Sequence, residues 1–273
     1  EMTSSLVGSE MCIRDRNLVN QAAVYASQQN ALSVDMNHFE WAKDKILMGA
    51  ARKTMVMTES TRRATAYHEA GHAIMALYTP GATSLYKATI LPRGRALGIT
   101  FQLPEMDKVD ITRRECLARL DVCMGGKIAE EMTYGPENTT SGCGSDLSSA
   151  TSTARAMVTQ YGMSTKVGPI SLAEKWDSWS PKLRDTADQE VLEMLKNSEE
   201  RTRVLLKEKK DELERLAQGL IEYETLNKEE IEKVVKGEPI SRAKTVTNTV
   251  VSSPEDDERQ NIGKQPLPLM TEA

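Results

Sequence analysis

The sequence predicts a mainly α-helical protein that carries a small β-hairpin or sheet. Leu, Ala, Met, Glu and Lys are abundant, whereas the 273 residues include only two Phe and three Trp, and this balance favours helices. Apolar residues recur at helical spacing along most of the chain. Only residues 85–91 and 97–103 alternate in the way that strands do. The length allows one large domain or two small ones.

The first predicted elements are two helices within residues 17–57. The pattern predicts a helix over residues 17–29 and a second helix that begins at a cap, Asp35 or Asn37, and ends near Met48. We expect these helices to form a small helical unit of their own.

The third predicted helix, residues 59–78, carries the most informative motif of the chain. It is rich in Ala and ends at a Thr-Pro-Gly stop signal. His68, Glu69 and His72 place two of the three histidines four residues apart, with a carboxylate beside the first. Because residues four apart share one helix face, both imidazoles can bind one tetrahedral ion. Glu69 is then placed to take a proton from a zinc-bound water.

The His-Glu-x-x-His pattern is typical of zinc peptidases. The same residues would also suit an ordinary hydrogen-bonded cluster on a helix. Two features favour a metal, because the rest of the chain is nearly free of His and suitable carboxylates follow downstream. Gly71 costs the helix about 1 kcal/mol relative to Ala. We interpret it as room for another segment or for a substrate.

Two strands are predicted after this helix, over residues 85–91 and 97–103, with turn residues at 92–95 between them. Two strands are too few to be stable alone, so we expect them to pack on the helices. An edge left open beside the metal would be able to pair with an extended peptide backbone.

A capping box at Thr112–Glu115 predicts the start of a long fourth helix. Its Gly125-Gly126 pair allows either close packing or a bend. Residues 134–145 are rich in Gly, Ser and Thr, which predicts a loop. Asp146 follows this loop in the first turn of a fifth helix, predicted over residues 145–161.

The third metal ligand has several candidates in this region. A catalytic zinc ion takes three protein ligands and leaves one position for water. We favour Asp146, although a plain helix cap is its alternative role. Glu130 and Glu131 compete, since a downstream helical Glu is the third ligand in other His-Glu-x-x-His enzymes. Cys143 is a weaker, softer candidate.

Two or three further helices are predicted from Pro181 onward. One of them, residues 199–221, has a leucine stripe, which we expect to pack on its own domain or on a neighbouring subunit. The stripe consists of Leu206, Leu213, Leu216 and Leu220. Asn227 is the predicted cap of a last short helix that ends at Gly237. Residues 241–273 are polar, charged and aperiodic, which predicts a disordered tail.

Composition also excludes some classes of function. The net charge of −5 argues against a nucleic-acid partner, since no basic face with interleaved aromatic residues is present. No apolar run approaches the roughly 20 residues that span a bilayer, so we expect no membrane segment in this chain. The four cysteines show no Cys-x-x-Cys spacing, and we expect reduced thiols.

Four motifs, in this order, resemble the FtsH family of membrane-anchored AAA proteases. They are Tyr67–Ala73 (YHEAGHA), Leu91–Gly98 (LPRGRALG), Met124–Glu131 (MGGKIAEE) and Thr140–Asp146 (TSGCGSD). The likeness runs from about Asn17 to the C-terminus. Within that family, the chain is most similar to the i-AAA proteases of the mitochondrial inner membrane in fungi.

The resemblance implies one Zn²⁺ per chain, held by His68, His72 and Asp146, with Glu69 as the general base. It makes the two competing glutamates of the fourth helix supporting or structural residues. It implies a zinc metalloendopeptidase that hydrolyses peptide bonds of unfolded or misfolded membrane-associated proteins.

The resemblance also implies a surface for the substrate. Leu97, Gly98, Ile99, Thr100 and Phe101 would form the edge strand on which an unfolded polypeptide is laid. Proteases of this family act as hexamers, so a homo-hexamer is implied as well. The implied location is the mitochondrial inner membrane, with this part of the protein as a soluble domain that faces the intermembrane space.

The implied domain order is a partial AAA helical lid at residues 17–57, an FtsH-type helical zinc peptidase domain at residues 58–240, and the tail. Residues 1–16 do not match the family, and we expect them to be foreign to the fold or disordered. The sequence has no Gly-x-x-x-x-Gly-Lys-Ser/Thr loop. ATP would therefore bind only in the full-length, membrane-anchored parent.

Two other functions remain open from the sequence. One is a non-catalytic helical module that forms hexamers or binds partners and needs no stoichiometric zinc. The other is a zinc hydrolase of small molecules, which is disfavoured because the sequence indicates neither a closed apolar pocket nor a phosphate loop.

Overall fold

The computed structural model describes residues 2–52, 55, 57–94, 96–104 and 110–242. They form two compact units, which are described separately. The small unit lies within Glu1–Met55 and Leu91–Leu97, and the large unit within Val56–Ile90 and Gly98–Ala273.

In the small unit, helix α1 spans Met2–Gln28. It is longer than the helix predicted over residues 17–29, because it continues without a break through residues 2–16. The foreign origin of residues 1–16 stays a prediction.

Helix α2 of the small unit spans Met36–Met48, and Asp35 is its cap. The Asp35 carboxylate accepts from the His38 backbone N–H at 3.2 Å, while His38 Nδ1 accepts from the Asp35 N–H at 3.0 Å. These reciprocal bonds satisfy two N–H groups at the start of the helix. The rings of Tyr25 and Trp41 stack with centroids 3.9 Å apart and join α1 to α2.

Helix α3 is the centre of the large unit and spans Glu59–Tyr78, the predicted bounds. Thr58 caps it by accepting a hydrogen bond from the Thr61 N–H. Every residue from Ala64 to Ala76 is buried. A helix of small and aliphatic residues tolerates such burial because neighbours can approach it on all sides.

Helix α4 spans Arg113–Tyr134 and begins at the predicted capping box of Thr112 and Glu115. It packs closely on α3. A Cβ atom added to Gly71 would collide with the carbonyl oxygen of Gly125, and one added to Gly125 would lie 2.7 Å from the carbonyl oxygen of Gly71. The two helices therefore meet backbone to backbone, and the glycine of α4 serves close packing.

The sheet has three antiparallel strands, β1 (Leu85–Thr89), β2 (Ile99–Gln102) and β3 (Thr225–Asn227), in the order β2-β1-β3. Strands β1 (Leu85–Thr89) and β2 (Ile99–Gln102) lie within the two predicted segments, and Thr100 pairs with Ala88. Strand β3, Thr225–Asn227, was not predicted because three residues are too few to show alternation. Strand β2 is an edge strand of this sheet.

The predicted loop after α4 contains two short 3-10 turns, Pro136–Asn138 and Ser141–Cys143. Helix α5 follows at Gly144–Thr159 and carries Asp146 in its first turn, as predicted. A third 3-10 segment, Ala173–Ser178, leads toward the C-terminal helices.

The helix predicted over residues 199–221 is wrong as a single element. Helix α6, Pro181–Glu208, and helix α7, Lys210–Tyr223, are separated by Lys209, whose φ and ψ are −102° and 24°. No Gly or Pro marks this break in the sequence. The Lys209 ammonium lies 3.0 Å from Glu212 on α7 and 4.2 Å from the ring centroid of Tyr78 on α3, so a contact with α3 helps to stabilise the break.

The leucine stripe is buried in the core of the large unit, which confirms packing on its own domain. It consists of Leu206, Leu213, Leu216 and Leu220. Helix α7 is also joined to α3 by polar contacts, since Tyr67 donates to the Glu214 carboxylate at 2.7 Å and Arg62 donates to the Ile221 carbonyl at 2.6 Å.

Helix α8 spans Lys228–Lys236, with Asn227 as its cap and Gly237 in the left-handed conformation at its end, as predicted. The predicted disordered tail lies outside the described residues from residue 243 onward. Among the helices that the structure describes, none is both long and apolar enough to cross a bilayer.

Candidate active site

The side chains of His68, His72 and Asp146 converge between α3 and the first turn of α5. The two Nε2 atoms are 3.1 Å apart. Asp146 Oδ2 lies 3.3 Å from His68 Nε2 and 3.4 Å from His72 Nε2. Within the described part of the chain, this is the one group of three His, Cys, Asp or Glu residues close enough to hold a metal ion together.

Both imidazoles are oriented by acceptors on α4. His72 Nδ1 lies 2.7 Å from the carbonyl oxygen of Val122, and a carbonyl can only accept, so Nδ1 carries the proton. His68 Nδ1 lies 2.7 Å from Glu130 Oε1 and donates in the same way. With Nδ1 as the donor to α4, the Nε2 atom of each ring points toward Asp146 and offers a lone pair once its own proton is displaced, which is the usual arrangement of metal-binding histidines.

Glu130 is itself held in place. The backbone N–H of Thr140 donates to its Oε2 at 2.7 Å, and the Thr140 hydroxyl donates to its Oε1 at 3.2 Å. Glu130 thus contacts the outer nitrogen of His68, whereas Asp146 contacts the inner nitrogens of both rings. The geometry favours Asp146 over Glu130 as the third ligand.

The other two ligand candidates lie outside this group. Glu131 accepts from Arg203 at 3.0 Å in a contact between α4 and α6. The thiol of Cys143 donates to the Thr140 carbonyl at 3.6 Å and is buried. Neither residue belongs to the cluster of His68, His72 and Asp146.

Gly126 gives the two imidazoles their room. A Cβ atom at this position would lie 2.6 Å from Nε2 of His68 and 2.6 Å from Nε2 of His72. The sequence predicts close packing or a bend for the glycine pair, and it does not reveal this role of Gly126. The pair itself was the available signal, since the same predicted helix carries Glu130 and Glu131, two candidates for the third ligand.

The three converging atoms fit a divalent ion. With metal–ligand bonds of about 2.0–2.1 Å, the edges of a tetrahedral site are about 3.3 Å long. The three observed separations are 3.1, 3.3 and 3.4 Å. Two imidazole nitrogens and one carboxylate oxygen are a donor set that zinc prefers.

Charges around the site support the same fit. Burial disfavours the charged form of His68, but hydrogen bonds to Asp146 and Glu130 outweigh burial and raise its pKa to about 10. Burial also opposes ionisation of Asp146, yet hydrogen bonds from both histidines hold its pKa below the usual range. The site therefore attracts positive charge strongly, and a metal ion would displace a proton from it.

Glu69 lies beside the cluster and is only 5% exposed. The Thr100 hydroxyl of β2 donates to Glu69 Oε2 at 2.7 Å. Burial raises the pKa of Glu69, whereas the nearby imidazoles of His72 and His68 act in the opposite direction. The carboxylate thus has the environment expected of a general base.

The five residues proposed to contact substrate do not all belong to one structural element. Gly98 lies against the Glu69 side chain, and Ile99, Thr100 and Phe101 belong to the edge strand β2. Leu97 belongs to the small unit and is exposed. Their role in binding substrate stays a prediction.

Two histidines and a glutamate on a buried helix, completed by an aspartate from a second helix, define a metallopeptidase-type centre in a mainly helical domain. Residues 55–234 match Peptidase family M41, and the chain belongs to this family. Its large unit carries the family's peptidase domain, and the predicted mainly helical fold with a small sheet is confirmed.

Several relatives agree with this assignment. The chain is 71% identical, over 99% of its length, to "Mitochondrial inner membrane i-AAA protease supercomplex subunit YME1" of Saccharomyces cerevisiae. It is 49% identical over 86% of its length to the "ATP-dependent zinc metalloprotease YME1 homolog" of Schizosaccharomyces pombe. It is 42% identical over 92% of its length to the "ATP-dependent zinc metalloprotease FtsH" of Neorickettsia risticii. The predicted resemblance to the FtsH family is confirmed.

The chain spans only part of these proteins. It covers 36% of the Saccharomyces relative, 33% of the Schizosaccharomyces relative and 40% of the Neorickettsia relative.

Proposed function

We propose that the chain is a zinc metalloendopeptidase domain that hydrolyses peptide bonds of unfolded polypeptides. One zinc ion per chain would be held by His68, His72 and Asp146, with Glu69 as the general base. The observation that carries the proposal is the convergence of two Nε2 atoms and one carboxylate oxygen at 3.1–3.4 Å, next to a buried glutamate.

Zinc in such a set lowers the pKa of a bound water to about 7 and polarises a carbonyl group. The residues of the chain orient the ligands and supply the general base. Val122 and Glu130 hold the two rings by their Nδ1 atoms, so that both Nε2 atoms would be available to hold the ion. Glu69 accepts the proton of the attacking water and returns it to the leaving amine. Burial of Glu69 supports this role, because a raised pKa makes the carboxylate a better base.

The substrate would be an extended polypeptide laid along β2. This strand forms the edge of the sheet, and its Thr100 contacts Glu69, so a backbone paired with β2 would pass beside the base. Pairing through backbone hydrogen bonds suits unfolded chains of many sequences.

The whole protein would be an ATP-dependent AAA protease. The relatives are named ATP-dependent zinc metalloproteases, and the Saccharomyces relative is named as a mitochondrial inner-membrane protease. We infer the same membrane for the parent of this chain, with a homo-hexameric assembly and a peptidase domain that faces the intermembrane space. ATP would bind in a part of the parent outside this sequence.

Zinc content and cleavage of an unfolded protein test the proposal together. We expect one zinc per chain, cleavage of casein, and loss of cleavage in Glu69→Gln with zinc retained. A non-catalytic assembly module would contain no stoichiometric zinc. Undiminished cleavage by Glu69→Gln would contradict the assignment of the base, and zinc without any peptide cleavage would favour a hydrolase of small molecules.

A further inference from the structure

The Glu69 carboxylate accepts a hydrogen bond from a residue of strand β2. Thr100 Oγ1 lies 2.7 Å from Glu69 Oε2 and 3.0 Å from the backbone oxygen of Glu69. A hydroxyl has one proton, and the shorter contact to the carboxylate is the stronger hydrogen bond. Among the described residues, the hydrogen bonds to this carboxylate come from Thr100 alone and end on Oε2.

Gly98 approaches the same side chain two residues earlier. A Cβ atom on Gly98 would lie 2.8 Å from Cγ of Glu69, 2.8 Å from its Oε1, and 2.8 Å from Cγ2 of Thr65. The segment from Gly98 to Thr100 therefore covers the Glu69 carboxylate on one side with bare backbone and a hydroxyl group.

The Glu69 side chain does not fix its own carboxylate plane. The last torsion of a glutamate is broad, so the carboxylate can rotate unless a partner holds one oxygen. A base acts only when its oxygen lies within hydrogen-bond reach of the proton that it takes. Some group must therefore hold the plane of this carboxylate, and Thr100 is the group that contacts it.

We propose that Thr100 is a positioning residue for the general base: its hydroxyl holds Oε2 of Glu69, and Oε1 is left to accept the proton. This inference rests on the proposed function, since it needs Glu69 to act as the base. Gly98 contributes by leaving the space that the carboxylate occupies.

One consequence concerns the path of the substrate. The strand that holds the base is also the strand proposed to pair with the polypeptide. Docking of a peptide on β2 and alignment of Glu69 thus involve one element, and a shift of β2 would change both. The chemical step depends on the Thr100 hydroxyl, whereas backbone pairing of a substrate does not.

Steady-state cleavage of an unfolded peptide by the zinc-loaded chain tests the proposal. Thr100→Val keeps the shape of the side chain and removes the donor, and we expect kcat to fall about tenfold while KM changes less than about twofold. Thr100→Ser restores the hydroxyl and should recover most of kcat. Zinc content should stay at one per chain in both variants.

Thr186→Val is the matched control, because Thr186 lies on α6 and its hydroxyl donates to the Lys182 carbonyl of the same helix. It should leave kcat and KM unchanged. Gly98→Ala is a second probe, and its methyl group should lower kcat with zinc retained.

The inference is overturned if Thr100→Val keeps the wild-type kcat, if it raises KM alone, or if Thr100→Ser is as slow as Thr100→Val. If Thr100→Val fails to fold, a wild-type kcat in Gly98→Ala or a slow Thr100→Ser variant overturns it. Failure of the proposed function has a different signature, because Glu69→Gln would then remain active in the same assay.

Discussion

The two halves of the site are held in different ways. In the metal half, defined as His68, His72 and Asp146, buried contacts with α4 fix the two histidines, and α3 and α4 approach each other closely. The base half, defined as Glu69 with Thr100, is held by a hydrogen bond from β2, an edge strand of the three-stranded sheet. The geometry of the two histidine ligands is therefore built into the core, whereas the geometry of the base depends on an edge strand.

The largest effect is expected when a ligand is removed from the metal half. In Asp146→Asn the amide lacks the negative charge that faces both imidazoles, and zinc affinity should fall by more than about 100-fold, beyond the loss seen for an outer partner. Zinc content after gel filtration measures this. Full zinc content in Asp146→Asn would break the assignment of Asp146 to the metal half.

The next effect concerns the helix contact that supports the metal half. Gly71→Ala would place a methyl group against the Gly125 carbonyl and 2.7 Å from Cβ of Ala129. Overpacking of this kind should cost about 2–3 kcal/mol of unfolding free energy, measured by urea denaturation.

Gly144→Ala is the matched control for that substitution, because a Cβ atom at Gly144 has no neighbour within 4 Å and the residue is already helical. It should stabilise the protein by up to about 1 kcal/mol. Equal effects of the two substitutions would show that the helices do not depend on backbone contact.

The smallest effect separates two adjacent glutamates. Glu130→Gln weakens the acceptor of His68, and zinc affinity should fall about 10–100-fold while the site still fills at saturating zinc. Glu131→Gln touches only the contact with Arg203 and should leave zinc affinity unchanged, with about 0.5 kcal/mol of lost stability. Metal titration of both variants gives the comparison. A larger loss of zinc affinity in Glu131→Gln than in Glu130→Gln would mean that Glu131, and not Glu130, supports the metal half.

Much of the fold followed from local sequence signals. The bounds of α3, the capping box of α4 and the Asn227 cap of α8 depend on neighbouring residues, and each was predicted. The break at Lys209 and the three-residue strand β3 were missed, because tertiary contacts stabilise both and no local pattern marks them.

The site divides in the same way. The motif on α3 could be found from spacing alone, and the convergence of Asp146 on it was expected from a loop that precedes a helix. The orienting contacts from Val122 and Thr140 could not be found, because a backbone carbonyl or N–H belongs to every residue and only the fold decides where it points. Thr100 was noted as part of a strand, but its contact with Glu69 needed the structure.

The two histidines differ in whether a substitution can remove the acceptor that orients the ring. His72 donates to a main-chain oxygen at Val122, and no exchange of the Val122 side chain deletes that acceptor. His68 donates to the side chain of Glu130, which a single codon change removes. A single substitution can therefore remove the acceptor that orients His68, whereas no side-chain substitution at Val122 removes the acceptor that orients His72. We expect substitutions that weaken this metal centre through an orienting contact to be found at Glu130 more often than at Val122.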